Sequence, residues 1–250
     1  MTDFHAHILP GLDDGPRTMQ ESAACVAFLA GLGFRRVYLT PHFRPGVFDN
    51  PPSRVRASLD YFRTFLGDRA ANIDLRPSHE VHLDSVLDPR GNLRAFLPIG
   101  AAGRHLLLEV PLQIFPFDLL LRTVDRLFSE GLRVVLAHPE RHAEVVERQD
   151  RCRMLKEAGV KFQVNVTSLA GFSGPVAARR ARVLCLNGLV DALGTDTHSL
   201  AQVREWVPKG LQQAARLLGE AGLQAVMSDL DIEEANAPQA KVVRLGRRWS

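Results

Sequence analysis

Nine residues of the kind that bind metal ions recur along this 250-residue chain, beginning with the pair His5 and His7. All but Asp14 close a short apolar run that is typical of a β-strand. The nine residues are His5, His7, Asp14, His42, Glu80, Glu109, His138, Asp196 and His198. Imidazole nitrogens and carboxylate oxygens together suit divalent ions such as manganese, iron and zinc, whereas thiolates favour softer metals.

The spacing of these residues predicts how they share ions. Side chains at positions i and i+2 of a strand point to the same face, so His5 and His7 can bind one ion from one strand. Asp196 and His198 repeat that spacing near the other end of the set. Nine ligands exceed the need of one tetrahedral ion, which favours a site of two or three ions.

The elements that position these residues alternate along the chain. Seven strand-like runs are predicted at 2–8, 36–41, 72–81, 105–111, 133–138, 161–167 and 189–195. Amphipathic helices are predicted between and after them, at 18–33, 53–67, 116–131, 142–159, 175–188 and 203–221. Strand and helix in repeated alternation predict an α/β fold, a parallel sheet closed into a seven-stranded barrel with its site at the carboxyl ends of the strands. The sixth run ends in Asn165–Ser168, without a strong ligand, and is expected to contribute hydrogen bonds.

Composition narrows the class of protein. With 46% hydrophobic residues and no linker-like stretch, we expect a single domain over residues 1–250 with a polar, basic tail from about residue 231. The net charge of +3 comes from dispersed basic residues, so no nucleic-acid partner is expected. Apolar runs are strand-length and no signal peptide is recognisable, which predicts a cytoplasmic protein without membrane insertion.

The cysteines lack the spacing of a metal site or of a catalytic thiol loop. Cys25, Cys152 and Cys185 are an odd number without paired metal spacing, and we expect them to pack in the core. None is followed by arginine six residues later, so the Cys-x5-Arg loop of thiol-based phosphatases is absent from the sequence.

With these motifs assembled, the sequence resembles the polymerase-and-histidinol-phosphatase (PHP) superfamily. Its opening stretch, residues 4–15, is similar to that of the bacterial metal-dependent tyrosine phosphatases encoded with capsule and exopolysaccharide genes. Further matches are Thr40-Pro41-His42, His79-Glu80-Val81, Leu108-Glu109-Val110-Pro111, Ala137-His138-Pro139-Glu140-Arg141, Ser168-Leu169-Ala170-Gly171 and Thr195-Asp196-Thr197-His198. The resemblance covers about residues 1–200. It implies a distorted (β/α)7 barrel in which all nine residues bind two or three ions, usually manganese, with iron or zinc as alternatives.

The resemblance also implies roles for arginines. Arg141 would bind the substrate phosphate, although it could instead be a salt-bridged residue at a helix start. The family places an arginine shortly after the last histidine, and Arg204 is only an approximate match to it. Arg44 and Phe48 lie in the loop after the second strand. Arg44 could bind phosphate and Phe48 could stack on a phenol ring, or both could be loop residues without a role in binding. Either Asp13 or Asp14 could be the ligand and the other a helix cap, and the family motif favours Asp14.

The function implied is hydrolysis of phosphotyrosine on proteins by direct attack of a metal-bound hydroxide. Arg141, Glu109 and His138 are the expected catalytic residues, with Glu109 bridging two ions and His138 in the ligand shell that assists the leaving phenolate. The expected partner is a tyrosine autokinase that controls capsule or exopolysaccharide synthesis, and no oligomeric state is predicted. Two alternatives are a phosphatase for a small ester such as histidinol phosphate and a catalytically silent metal-binding interaction domain.

Overall fold

The computed structural model describes residues 1–70, 72–87, 92–113, 115–228 and 230. This part of the chain contains nine short strands, which are β1 (Thr2–Ala6), β2 (Arg36–Leu39), β3 (His42–Phe43), β4 (Asp74–Pro77), β5 (Glu80–His82), β6 (His105–Glu109), β7 (Arg133–Ala137), β8 (Lys161–Asn165) and β9 (Ala192–Gly194). The predicted tail from residue 231 lies outside the described residues, and the single-domain organisation stays a prediction.

Two of the seven predicted strands are each divided in two. The run 36–41 forms β2 and β3, and the run 72–81 forms β4 and β5. A proline lies at each break, Pro41 between β2 and β3 and Pro77 as the last residue of β4, and proline has no N–H to donate to a neighbouring strand. The pieces join different sheets, one ordered β1-β2-β4 and the other β3-β5-β6-β7-β8-β9, and every pair of neighbours is parallel.

The two sheets close into one ring where the first and last strands meet. Ala6 and Thr197 form a parallel bridge, and the His7 N–H donates to the Thr197 carbonyl at 2.9 Å. The Asp196 N–H donates to the His5 carbonyl at 2.7 Å across the same seam. The prediction of a distorted seven-stranded α/β barrel is therefore confirmed, with β2 and β3 sharing one strand position and β4 and β5 another.

The helices follow the strands as predicted, with some differences in bounds. They are α1 (Met19–Gly31), α2 (Pro52–Leu66), α3 (Phe117–Ser129), α4 (Ala143–Val146), α5 (Gln149–Glu157), α6 (Val166–Leu169), α7 (Gly174–Leu186) and α8 (Leu200–Val226). The predicted helix 142–159 is divided into α4 and α5, and the short α6 replaces the end of the predicted sixth strand. No helix among these is long and apolar enough to cross a membrane.

The side chains of β6 point alternately to two different apolar clusters. Leu106 and Leu108 belong to the large apolar cluster that includes side chains of the helices. Leu107 belongs to a smaller cluster with residues of β1, β2, β7 and β9. Since successive strand residues point to opposite faces, Glu109 shares the face of Leu107. The smaller cluster therefore lies on the side of β6 that carries a predicted ligand.

Candidate metal centre

All nine predicted ligands are brought together at the carboxyl-terminal edge of the ring. Their donor atoms form four overlapping groups, each with atoms within 4.8 Å of one another. The groups are His7, Asp14, His42 and His198; His5, Glu80 and His138; His5, His7 and Asp196; and His42, Glu80 and Glu109. Because four of the residues belong to two groups each, neighbouring ions could share ligands.

Glu80 lies at the centre of this arrangement. Its Oε2 atom is 3.3, 3.2 and 2.9 Å from ring nitrogens of His5, His7 and His42 and forms no hydrogen bond of regular geometry. Its other oxygen lies 2.9 Å from Nε2 of His138. Glu109 contacts fewer histidines and at longer range, 3.7 Å to His42 and 3.9 Å to His138.

For the histidines of the cluster, burial and the neighbouring carboxylates shift the pKa in opposite directions. Burial disfavours protonation of His5, yet the carboxylates of Glu80 and Asp196 outweigh it and raise the pKa of His5 to about 10. The pKa of His42 is raised to about 10 in the same way, by Glu80 and then Glu109. Burial and the negative charge of Glu80 raise the pKa of Glu109 to about 8. Carboxylates this crowded require nearby positive charge, which bound cations can supply.

Two histidines are held so that their Nε2 atoms face the cluster. The His5 Nδ1–H donates to Oε1 of Gln163 at 2.8 Å, and the His7 Nδ1–H donates to Oδ2 of Asp13 at 2.7 Å. These bonds orient both rings so that their Nε2 atoms, 2.9 Å apart, face the cluster, where a bound cation would take the place of a proton on Nε2. The donor set and its geometry therefore fit divalent ions.

The structure distinguishes Asp13 from Asp14. Asp13 lies behind His7 and also accepts from the His42 and Gly15 N–H groups, at 3.1 and 3.0 Å. An oxygen of Asp14 faces the cluster, 3.2 Å from His198. Asp14 thus faces the cluster as the motif predicts, while Asp13 orients the predicted ligand His7.

The hydrogen-bonding role expected of the sixth strand is present in β8. The Gln163 amide donates to Oδ1 of Asn165 at 2.9 Å, and the Asn165 amide donates to Oδ2 of Asp196 at 2.7 Å. The sequence reasoning did not single out Gln163, although its i, i+2 spacing from Asn165 indicates a shared face. A glycine is needed at position 194, next to these hydrogen bonds. A Cβ there would lie 2.6 Å from Cβ of His5 and 2.7 Å from the Gln163 amide nitrogen.

Backbone strain is concentrated at two predicted ligands. Among the described residues other than glycine, positive φ occurs at His138 (33°) and Asp196 (50°). Such conformations cost on the order of 1–3 kcal/mol each and persist where the surroundings impose them. The turn at Asp196 is held by Gln202, whose amide donates to the Asp196 carbonyl at 2.7 Å and accepts from the His198 N–H at 2.8 Å. Gln202 was also missed from the sequence.

A cavity of about 740 Å³ opens over the cluster, and Arg141 lines it. Arg141 follows β7 in a helical turn, Pro139–Arg141, and its Nη1 lies 3.5 Å from Oδ2 of Asp196. Arg44 and Phe48 line a neighbouring hollow of about 250 Å³. There Arg44 pairs with Asp84 at 2.9 Å and the Phe48 ring stacks on His42, with centroids 5.3 Å apart.

Arg204 lies elsewhere, contrary to its expected role in substrate binding. It is exposed on α8 and does not line the cavity. Gln202, two residues earlier, faces the site, and two residues advance the direction of a helical side chain by about 200°. Arg204 therefore points away from the cavity.

A closed parallel α/β barrel with clustered histidines and carboxylates at its carboxyl-terminal edge defines the class of metal-binding barrel proteins. Residues 1–236 match the family described as "Capsular polysaccharide synthesis, CpsB/CapC", and the chain belongs to this family. The membership predicted from the motifs is thus confirmed.

Named relatives agree with this assignment. The chain is 29% identical over 204 residues to tyrosine-protein phosphatase YwqE of Bacillus subtilis, covering 80% of this chain and 78% of the relative. It is 25% identical over 226 residues to tyrosine-protein phosphatase CpsB of Streptococcus pneumoniae, covering 88% and 90%.

A solved structure from work on YwqE and CpsB, described as "unique metal-dependent tyrosine phosphatases", matches with a TM-score of 0.75 at 25% identity. That match covers 91% of this chain and 94% of the other. An inactive dihydroorotase-like domain from Chaetomium thermophilum matches with a TM-score of 0.50 at 12% identity, which is a likeness of fold alone.

Proposed function

We propose that this chain is a metal-dependent phosphatase that hydrolyses phosphotyrosine in proteins. The observation that carries the proposal is the convergence of all nine predicted ligands beneath one cavity that Arg141 also lines. Its family and the named activity of its relatives support the same reaction.

The nine predicted ligands would hold two or three ions, manganese in the first place, with iron or zinc as alternatives. The mixed imidazole and carboxylate donors suit all three metals. When bound, such ions lower the pKa of water towards ~7 and neutralise charge on a phosphate group.

The chain's own groups would bind and orient the ester. Arg141 presents a planar guanidinium fork that can donate to two phosphate oxygens at once. Glu109 and His138, which line the same cavity, would hold the phosphorus centre of the ester in place beside Arg141. A phenolate leaving group, with a pKa near ~10, needs less protonation than an alkoxide. Arg44 and Phe48 would contact the substrate on the side of the smaller hollow.

We further propose that the physiological substrate is a tyrosine kinase that controls capsule or exopolysaccharide synthesis, and that the protein acts in the cytoplasm. The description of the family supports the pathway.

The purified chain should hydrolyse p-nitrophenyl phosphate and phosphotyrosine peptides with bound divalent metal, most strongly with manganese. Activity should disappear on chelation and return when the metal is restored. A variant with Cys25, Cys152 and Cys185 changed to serine should keep its activity if folded, because all three thiols are buried and lie outside the cavity lining. Activity after complete chelation, or its loss in the folded cysteine variant, would contradict the proposal. Turnover of histidinol phosphate in preference to phosphotyrosine would favour the small-ester alternative.

A further inference from the structure

Exposed apolar side chains flank Arg141 on both sides. Leu112, in the loop after β6, is 51% exposed, and Phe172, between α6 and α7, and Val176, in the first turn of α7, are each 48% exposed. All three line the cavity over the predicted ligands. The strand order places Arg141, which follows β7, between the loop after β6 and the segment after β8. The polar floor of the cavity is therefore bordered by apolar groups from the loop after β6 and from the segment that leads into α7.

Phe172 is held in place before any ligand binds. Its N–H donates to the Thr167 carbonyl at 3.0 Å, and its ring packs against the Trp206 ring of α8 with centroids 5.7 Å apart. Lys209 covers Trp206, with Nζ 5.0 Å from the ring centroid. An aromatic side chain supported in this way loses little conformational freedom when a second ring stacks on it.

We propose that Phe172, Val176 and Leu112 bind the aryl ring of the phosphate ester and so select aryl over alkyl phosphates. The proposal rests on the proposed function, which places the phosphate group at Arg141 and the predicted ligands. The phenyl ring of an ester bound there would extend to these apolar side chains. Removing their exposed area from water would favour binding. Ring contact with Phe172 adds the preference of aromatic pairs for each other.

The smaller hollow is the competing place for the ring, because Phe48 and Val47 line it. The Phe48 ring is already stacked on His42, and this hollow shares His42, Glu109 and Leu112 with the larger cavity but does not include Arg141. A phosphate bound to Arg141 therefore directs its ester group to the larger cavity.

The test compares two probes that differ only in the ring, phenylphosphonate and methylphosphonate, by calorimetric titration of the manganese-loaded protein. Phe172→Ala should weaken binding of phenylphosphonate about tenfold, or about 1.4 kcal/mol, and leave methylphosphonate within about twofold. Leu112→Ala, on a separate loop, should shift the same ratio in the same direction. Tyr61→Ala on α2 and Leu186→Ala at the end of α7 are matched controls, since both residues are exposed, at 67% and 69%, and do not line the cavity.

Hydrolysis measurements separate this inference from the proposed function. If the wild-type protein hydrolyses aryl phosphates but Phe172→Ala leaves the phenyl to methyl ratio unchanged, the inference is overturned whatever Leu112→Ala does, because Leu112 also lines the smaller hollow. A shift of the ratio in Phe48→Ala instead would move the ring to the smaller hollow and also overturn it. If the wild-type protein hydrolyses no aryl phosphate, the proposed function fails, whatever the binding ratio.

Discussion

At the scale of single residues, Arg141 differs from the other arginines near the site in how strongly its guanidinium is engaged. Arg180 also lines the cavity, but it donates to Oε1 of Glu147 at 2.6 Å, and Arg44 pairs with Asp84 at 2.9 Å. The contact of Arg141 with Asp196 is longer, at 3.5 Å. Arg141 is therefore the best placed of the three to bind an incoming anion.

Changing Arg141 should reduce catalysis without removing metal. Arg141→Ala is expected to lower kcat/KM by roughly 10²-fold, about 3 kcal/mol, because it removes charge stabilisation in the transition state. Arg141→Lys should recover part of the loss, since a point charge cannot reproduce a paired contact. Kinetics beside metal analysis check this, with the exposed Arg148→Ala as a matched control. Near-normal kcat/KM in Arg141→Ala would assign it a structural role.

The glutamates Glu80 and Glu109 should differ in their effect on metal content. Glu109→Gln is expected to lower bound metal and activity together, because an amide oxygen bridges ions poorly. Glu80→Gln should weaken metal binding further, by roughly tenfold or more, because Glu80 belongs to two of the four donor groups and Glu109 to one. Metal analysis after dialysis compares them directly. A fully metallated Glu80→Gln would refute the central position given to Glu80, and ordinary turnover by a fully metallated Glu109→Gln would refute bridging by Glu109.

At the scale of elements, α6 and α8 approach closely at a glycine. A Cβ at Gly210 of α8 would lie 2.0 Å from the Val166 carbonyl oxygen of α6. Because α8 also carries Gln202, which holds the turn at Asp196, this close contact helps to position the site.

Adding one methyl group at Gly210 should therefore destabilise the protein. Gly210→Ala is expected to lower the free energy of unfolding by about 1–3 kcal/mol through overpacking. Gly31→Ala, in the last turn of α1, is the matched control because a Cβ there meets no atom within 4 Å, and it should be neutral or slightly stabilising. Urea titration of both variants measures the difference. Equal midpoints for the two variants would show that α8 moves away from α6 at no cost.

At the scale of the whole molecule, the site depends on closure of the ring. The predicted ligands extend from His5 to His198 and meet because β1 is joined to the segment after β9 at the bridge between Ala6 and Thr197. An unfolded chain cannot hold these groups together. Metal binding should accordingly favour the folded state.

Thermal unfolding should shift with metal concentration. Manganese at about 100 times its Kd is expected to stabilise the fold by about 2.7 kcal/mol per site, and chelation should reverse the gain. A folded Asp196→Asn variant, with one donor group weakened, should show a smaller rise in Tm over the same titration. Tm independent of metal in the wild-type protein would mean that the ions do not bind the folded chain preferentially.

The sequence by itself determined the barrel and its donor set. Parallel strands bring their carboxyl ends to one edge, so residues that end successive strands, such as His5, Glu109 and His138, meet there whatever their separation in the chain. Periodicity also predicted most helices, since each needs one apolar face for the core.

Only the tertiary structure decided what depends on side-chain direction and on contacts between distant segments. Adjacent Asp13 and Asp14 are alike in sequence, and the fold turns one behind His7 and the other towards the cluster. Arg204 was expected to contact the substrate, and its place on α8 points it away from the cavity. Leu112 and Phe172 belong to none of the sequence motifs. They border one cavity because β6 and β8 lie on either side of β7 in the ring.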